Sequence, residues 1–242
     1  MSDASNGARR PLVSVVVPVY NEEQTVGQVV EELLALDLRL EILLVDDGST
    51  DGSAAELARL AATFPQVQVH AQPKNLGKGA AVRRGIDEST GDILLIQDAD
   101  LEYSPSDIPA LIAPLLDGKA DAVFGTRLRG GAHAQRAHLF WHYAGNRFLT
   151  LLSNVLYNTT ISDMEVGYKA FQGDLVRGLK LVSNDFRIEP ELTAKVLRLG
   201  PGIRLYEVPI SYYGRSYAEG KKITWKDGFG AVAALFYFRF AK

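Results

Sequence analysis

The stretch Ile93-Leu94-Leu95-Ile96-Gln97-Asp98-Ala99-Asp100 sets an apolar run directly against two carboxylates. The run reads as a strand, and strand geometry sends side chains i and i+2 to the same face. Asp98 and Asp100 are therefore expected to project together from the sheet edge while Ala99 points the other way. Two hard oxygen donors close together suit Mg2+ or Mn2+, and an ion held by so few protein groups keeps coordination sites for phosphate oxygens. An acidic loop after a strand is the plain alternative. A motif this short matches by accident, so the rest of the chain must decide.

Working outward, the first half alternates short β-branched runs with amphipathic helical patterns. Strands are expected at Val13–Val17, Glu41–Val45, Gln66–His70, Ile93–Gln97 and Asp121–Gly125, and helices near Glu22–Leu36, Gly52–Thr63, Gly77–Glu88 and Ser106–Leu116. This alternation predicts an α/β fold with a mostly parallel central sheet flanked by helices. Ligands of such sheets bind at the carboxyl ends of the strands. Past Gly125 the pattern changes. Gly130 and Gly131 interrupt a basic stretch, then a long aromatic helix is expected over His138–Tyr157, a strand over Val166–Phe171, a helix over Pro190–Leu199, a strand over Arg204–Val208 and a last helix from Trp225. One domain over 11–242, after a loose polar tail over 1–10, accounts for the chain.

The 242 residues are 47% hydrophobic and 23% charged, ordinary values for a globular chain with a substantial core. A net charge of -3 argues against nucleic acid as a partner. There is no cysteine, which removes disulfides, thiolate chemistry and cysteine zinc sites and fits a reducing compartment. The first ten residues carry no apolar signal region, and the longest apolar stretch, Phe229–Phe240, is too short to span a bilayer. An integral membrane protein is not expected; a cytoplasmic protein, peripheral at the cytoplasmic face of the membrane, is.

Further segments fall at expected strand ends. Pro18-Val19-Tyr20-Asn21-Glu22 fixes the backbone where the first strand stops, and Tyr20 offers a flat face to a base. Asp46-Asp47-Gly48-Ser49-Thr50-Asp51-Gly52 supplies a carboxylate for a base or ribose and a cap for the next helix. Lys74-Asn75-Leu76-Gly77-Lys78-Gly79 lacks the Walker spacing, yet its glycines admit close backbone approach at a helix start and Lys78 reaches toward a diphosphate.

Together with Asp98-Ala99-Asp100 and Gly125-Thr126-Arg127, these segments resemble, in order, the motifs of family 2 glycosyltransferases with the GT-A fold. Within that family the chain is most similar to the dolichol-phosphate mannosyltransferase and polyprenyl-phosphate glycosyltransferase group, from about Val13 to Phe240. The resemblance implies a nucleoside diphosphate sugar donor, GDP-mannose or a UDP-hexose or UDP-N-acetylhexosamine, and inverting transfer to a polyprenyl phosphate lipid. It divides the domain into a donor half, 11–127, and an acceptor half, 128–242. Pro18, Tyr20, Glu22 and Asp47 would surround base and ribose, Lys78 and Asp98 the diphosphate. Asp98 and Asp100 match the metal motif, with Glu102 where some relatives bind the ion through Gln.

On the acceptor side, Arg127, Arg129, Arg136, Arg147, Arg215, Lys221 and Lys222 gather cations in an acidic chain. Arginine suits bidentate phosphate recognition, and a solvated basic face is the alternative. Arg127, Arg136, Arg215, Lys221 and Lys222 are the candidate acceptor-phosphate ligands, Arg127 and Arg215 matching family arginines. Tyr212–Lys222 reads as a lid. Trp141, Tyr143, Phe148, Phe236, Tyr237 and Phe238 beside basic residues suit a membrane surface, with a homo-oligomer contact as the other use. Asp163 and Glu165 are the carboxylates available as base, and a phosphate acceptor needs none because its second pKa is about 6. Asp163 is therefore expected to orient acceptor or cation. A processive synthase would add transmembrane helices and a Gln-x-x-Arg-Trp motif; a transferase acting on a hydroxyl acceptor is the closer rival, and a non-enzymatic module of the same fold is the third.

Overall fold

A computed structural model describes residues 9–128, 140–214 and 225–241. Seven strands form one sheet: β1 (Leu12–Val19), β2 (Arg39–Asp46), β3 (Val67–Ala71), β4 (Ile93–Ile96), β5 (Ala122–Thr126), β6 (Lys169–Gln172) and β7 (Leu205–Pro209), in the order β3-β2-β1-β4-β6-β5-β7. β1, β2, β3 and β4 pair in parallel, as do β5 and β7. β6 runs antiparallel to both neighbours, with Leu94 opposite Phe171 and Val123 opposite Ala170. A strand from beyond residue 128 thus lies between two strands from before it. The two halves read from the sequence share one hydrogen-bond ladder.

Among the described residues eight α-helices accompany this sheet: α1 (Val26–Leu34), α2 (Ser53–Thr63), α3 (Lys78–Glu88), α4 (Ile108–Leu116), α5 (Phe140–Tyr157), α6 (Gly173–Arg177), α7 (Ile188–Arg198) and α8 (Trp225–Phe240). Their inner faces follow the helical repeat, as in the buried Val26, Val29, Val30 and Leu33 of α1 and Ile108, Leu111, Ile112 and Leu115 of α4. α3 buries small residues instead and approaches the sheet closely; a Cβ on Gly85 would lie 2.3 Å from Val16 Cγ1. Strands β1, β2 and β4 read as mainly apolar runs because both faces are covered, with Ser14 and Glu41 buried as a hydrogen-bonded pair.

The expected elements are present with ends shifted by a few residues. The first helix begins at Val26 rather than near Glu22, because Asn21 takes φ +53° and a turn intervenes. The strand expected over Val166–Phe171 forms as Lys169–Gln172, and the short α6 had no sequence signal. α5 and α8 pack through Leu149, Ile161, Met164, Ala231 and Leu235. Arg198 of α7 closes the end of α8, its Nη1 donating to the carbonyls of Phe238 at 2.8 Å and Ala241 at 2.6 Å. Among the described residues no helix is long and apolar enough to cross a membrane.

Candidate active site

The ends of β1 and β2 are stitched together. Asn21 N donates to Ser49 Oγ at 3.0 Å and Thr50 N donates to Asn21 Oδ1 at 2.8 Å. Pro18 stands past the β1–β4 ladder, which ends at Val16 and Ile96, so its missing N–H interrupts nothing on that side. Tyr20 is part-exposed beside this turn, while Glu22 is nearly buried and takes the Thr25 hydroxyl at 2.9 Å. Asp47 is buried. Its carboxylate accepts from Gln72 Nε2 at 2.9 Å and from the backbone amides of Leu76 and Gly77, both at 2.8 Å. Burial pushes its pKa up; the two amides oppose this and Asp46 adds to it, leaving it above the ordinary value.

The glycines at the start of α3, Gly77 before it and Gly79 in its first turn, admit protein. Gly77, at φ +100°, would place a Cβ 2.4 Å from the Asn184 carbonyl oxygen, and a Cβ on Gly79 would meet the Ser183 oxygen at 2.5 Å. That Asn184 carbonyl accepts from Ala80 N at 3.0 Å. Asp47 and Asn184 therefore satisfy the amides of Leu76, Gly77 and Ala80 around the start of α3. Lys78 is the group of this loop that faces the acidic motif. Its Nζ lies 2.7 Å from Asp98 Oδ1 and 3.1 Å from Glu189 Oε1, and Glu189 Oε2 in turn lies 2.6 Å from Lys169 Nζ. Burial disfavours the Lys78 ammonium, but the two carboxylates hold its pKa well above the usual value.

Asp98 and Asp100 stand in the turn just beyond β4, part-exposed, with Ala99 buried between them. Leu101 closes the turn in the left-handed region at φ +60°, and Glu102 N donates to Asp100 Oδ1 at 3.1 Å. The Glu102 carboxylate accepts from the Tyr212 hydroxyl at 3.0 Å. No group of three or more His, Cys, Asp or Glu placed to hold a metal ion occurs among the described residues. Tyr103 stacks on Tyr168 with centroids 4.9 Å apart and leans on Tyr212 at 5.4 Å, while its hydroxyl accepts from Gly167 N at 3.0 Å.

Arg127 lies over the Tyr212 ring, its guanidinium carbon 5.0 Å from the centroid. Arg127 forms a bidentate pair with Asp163, Nε to Oδ2 at 2.7 Å and Nη2 to Oδ1 at 2.8 Å. Asp163 is fully buried and also accepts from Asn146 Nδ2 of α5 at 2.9 Å. Burial works to raise its pKa, yet the Arg127 charge and these hydrogen bonds keep it below the ordinary value. Glu165, two residues on, behaves oppositely. Burial pushes its pKa up to about 7, against the pull of Lys169, and its Oε1 has no hydrogen-bond partner among the described residues.

The structure thus brings Lys78, Asp98, Asp100, Glu102, Arg127 and Asp163 near the cluster of Tyr103, Tyr168 and Tyr212. Arg147 is exposed on α5. Arg129, Arg136, Arg215, Lys221 and Lys222, with most of the expected lid, lie outside the described residues, as does the Trp141 side chain. Glu189, Asn146 and Tyr103 were not singled out from the sequence. Their partners are distant along the chain, and only the fold shows that they meet.

A mostly parallel sheet with an acidic turn at its carboxyl edge is the architecture of GT-A glycosyltransferases. A solved structure of glucosyl-3-phosphoglycerate synthase from Mycobacterium tuberculosis, in complex with Mn2+, UDP and phosphoglyceric acid, superposes with a TM-score of 0.72 at 20% identity, covering 96% of this chain and 80% of that one. The chain belongs to glycosyl transferase family 2, whose sequence model matches residues 14–177. It is 27% identical over 241 residues to dodecaprenyl-phosphate galacturonate synthase of Rhizobium johnstonii, across 94% of this chain and 68% of that protein. It is 29% identical over 212 residues to dolichol-phosphate mannosyltransferase of Pyrococcus furiosus, across 86% and 58%. The chain spans about two thirds or less of the length of these relatives.

Proposed function

We propose that this glycosyltransferase moves a monosaccharide, with inversion and with the help of Mg2+ or Mn2+, from a nucleoside diphosphate sugar to polyprenyl phosphate at the cytoplasmic face of a membrane. The observation that carries this reading is that an acidic turn, whose Glu102 accepts from the Tyr212 hydroxyl, and a cationic side chain, Arg127, whose guanidinium lies over the same ring, meet at Tyr212. Relatives named for dodecaprenyl and dolichol phosphate support the acceptor.

The carboxylate pair fits a divalent ion. A Cβ on Gly167 would come within 2.8 Å of Asp98 Oδ2, so the glycine leaves the carboxylate room to stand where it does. Asp98 and Asp100 would hold the ion, with Glu102 turned to Tyr212. When bound, the ion supplies positive charge to the departing diphosphate. Lys78 adds an ammonium on the same side. An oxygen of the acceptor phosphate attacks the anomeric carbon as the bond to the diphosphate breaks, and Arg127, with Arg215 and the lysines of the late loop, holds that phosphate in line. Asp163 is already committed to Arg127 and Asn146, so it positions the guanidinium rather than removing a proton.

Membrane contact fits the outer faces of α5 and α8. Phe148, Leu151 and Val155 on one helix and Phe229, Phe236, Tyr237 and Phe240 on the other are exposed at helical spacing. One observation favours a second reading, transfer to a hydroxyl acceptor. Such a reaction needs a base, and Glu165, with its pKa near neutrality, has the right chemistry.

A panel of GDP- and UDP-sugars, offered with polyprenyl phosphate or with soluble hydroxyl acceptors in Mg2+ or Mn2+ and read by mass, tests both. A lipid-linked monosaccharide supports the proposal. Product on hydroxyl acceptors alone moves the site to the second reading, and no product from any pairing overturns both.

A further inference from the structure

Glu189 belongs to none of the motifs, yet it sits at the inner end of the acidic site. It stands in the first turn of α7 and is buried together with Lys169. Four charges alternate from the surface inward: Asp98, Lys78, Glu189 and Lys169, joined at 2.7, 3.1 and 2.6 Å. Lys78 lies between two carboxylates, and only one of them, Asp98, belongs to the acidic turn. Its contact with Glu189 is the looser one, since Glu189 Oε1 accepts no well-directed hydrogen bond among the described residues.

We propose that Glu189 is a positioning residue that gives Lys78 a second station, so that the ammonium withdraws from Asp98 when a divalent cation arrives and stays within the site. The inference rests on the reading of Asp98 as a metal ligand. In the resting protein the Lys78 ammonium occupies an oxygen of Asp98. A cation binding there repels it at short range, and a buried ammonium cannot simply be left unpaired. Glu189 Oε1 receives it through a small side-chain movement. Lys169, held by Glu189 and the Val166 carbonyl, keeps that carboxylate ionised and in place. Without Glu189 the lysine has Asp98 alone, and it competes with the metal.

The test is a Mn2+ titration of the whole chain in the presence of UDP and, separately, GDP, followed by electron paramagnetic resonance of free Mn2+, with thermal melts to check folding. Glu189→Gln is expected to weaken Mn2+ binding about tenfold, the size usual for charges that share a partner. Lys78→Met is expected to tighten binding, and in that background Glu189→Gln should lose most of its effect. Glu189→Asp should restore part of the affinity. Glu189→Gln combined with Lys169→Met removes both deep charges together and should show the same weakening even if the single variant folds poorly. An equal effect of Glu189→Gln with and without Lys78 would mean simple through-space attraction and would overturn the proposal, as would no effect at all. If Mn2+ binds and Asp98→Asn abolishes it while Glu189→Gln changes nothing, the second station alone fails. If the wild-type chain binds no Mn2+, or Asp98→Asn binds it normally, the metal reading of the turn fails and the proposal with it.

Discussion

Gly167 lies against Asp98 so closely that a Cβ there would stand 2.8 Å from Asp98 Oδ2 and 3.0 Å from Tyr103 Cε2. Its backbone φ is not positive, so alanine is excluded by its neighbours rather than by strain. Gly167→Ala should displace the Asp98 carboxylate and lower kcat at least tenfold, with a modest loss of thermal stability. Asp98→Ala or Asp100→Ala should nearly abolish transfer at any metal concentration. Normal turnover in either of these two would refute the metal assignment, and normal turnover in Gly167→Ala would show that the turn tolerates displacement.

The Arg127–Asp163 pair is buried and bidentate, so breaking it leaves a charge without its partner. Asp163→Asn is expected to destabilise the chain by about 3 kcal/mol in urea unfolding, and an Arg127→Met, Asp163→Asn double variant by less than the sum of its parts. The folded pKa of Asp163 lies below its unfolded value. Its contribution is therefore present above pH about 4 and lost as pH falls through the lower folded value. Additive effects in the cycle would mean that the pair is not coupled.

Glu165 gives the opposite slope. Its folded pKa is raised to about 7 from 4.5, so the folded state holds the proton more tightly. The stabilisation is complete below the unfolded value and disappears as pH rises through 7, amounting to at most about 3 kcal/mol. Unfolding free energies measured from pH 4 to 8 should fall less steeply in Glu165→Gln than in the wild type. Parallel curves would place Glu165 in an ordinary solvated setting.

The exposed aromatic residues of α8 provide a test that leaves the active site untouched. Phe236→Asp with Phe240→Asp should reduce co-sedimentation with phospholipid vesicles at least tenfold, since a buried Phe contributes roughly 1.5 to 3 kcal/mol. Melting temperature should change little, because both side chains already face solvent. Unchanged vesicle binding would remove the membrane role from this helix.

Much of the fold was legible because burial on both faces makes β1, β2 and β4 read as mainly apolar runs, and because α1 and α4 repeat at helical spacing. The place of β6 was not legible. Lys169–Gln172 carries no mark of direction or neighbour, and its antiparallel insertion depends on how the chain returns after α5. At the site, Asp98, Asp100 and Arg127 announced themselves by position after strands. Asp47 was visible as a carboxylate at a strand end, but its partners, the amides of Leu76 and Gly77, come from a loop about 30 residues further on. Gly77 and Gly79 signalled close approach correctly, though not of what: Asn184, more than a hundred residues away, fills the space. Glu189 gave no signal at all, since a single glutamate at a helix start is ordinary until Lys78 and Lys169 are seen beside it.

The antiparallel β6 between β4 and β5 bears on how such a chain can be re-engineered. A graft at residues 127 and 128, meant to exchange one acceptor region for another, would leave β4 and β5 without the ladder that joins them, and each piece with a raw sheet edge open to aggregation. Chimaeras cut there should misassemble, whereas replacing side chains or loops around an intact β6 keeps the weave whole. Acceptor preference in this architecture is thus to be altered by tailoring within the cloth, not by sewing two garments together.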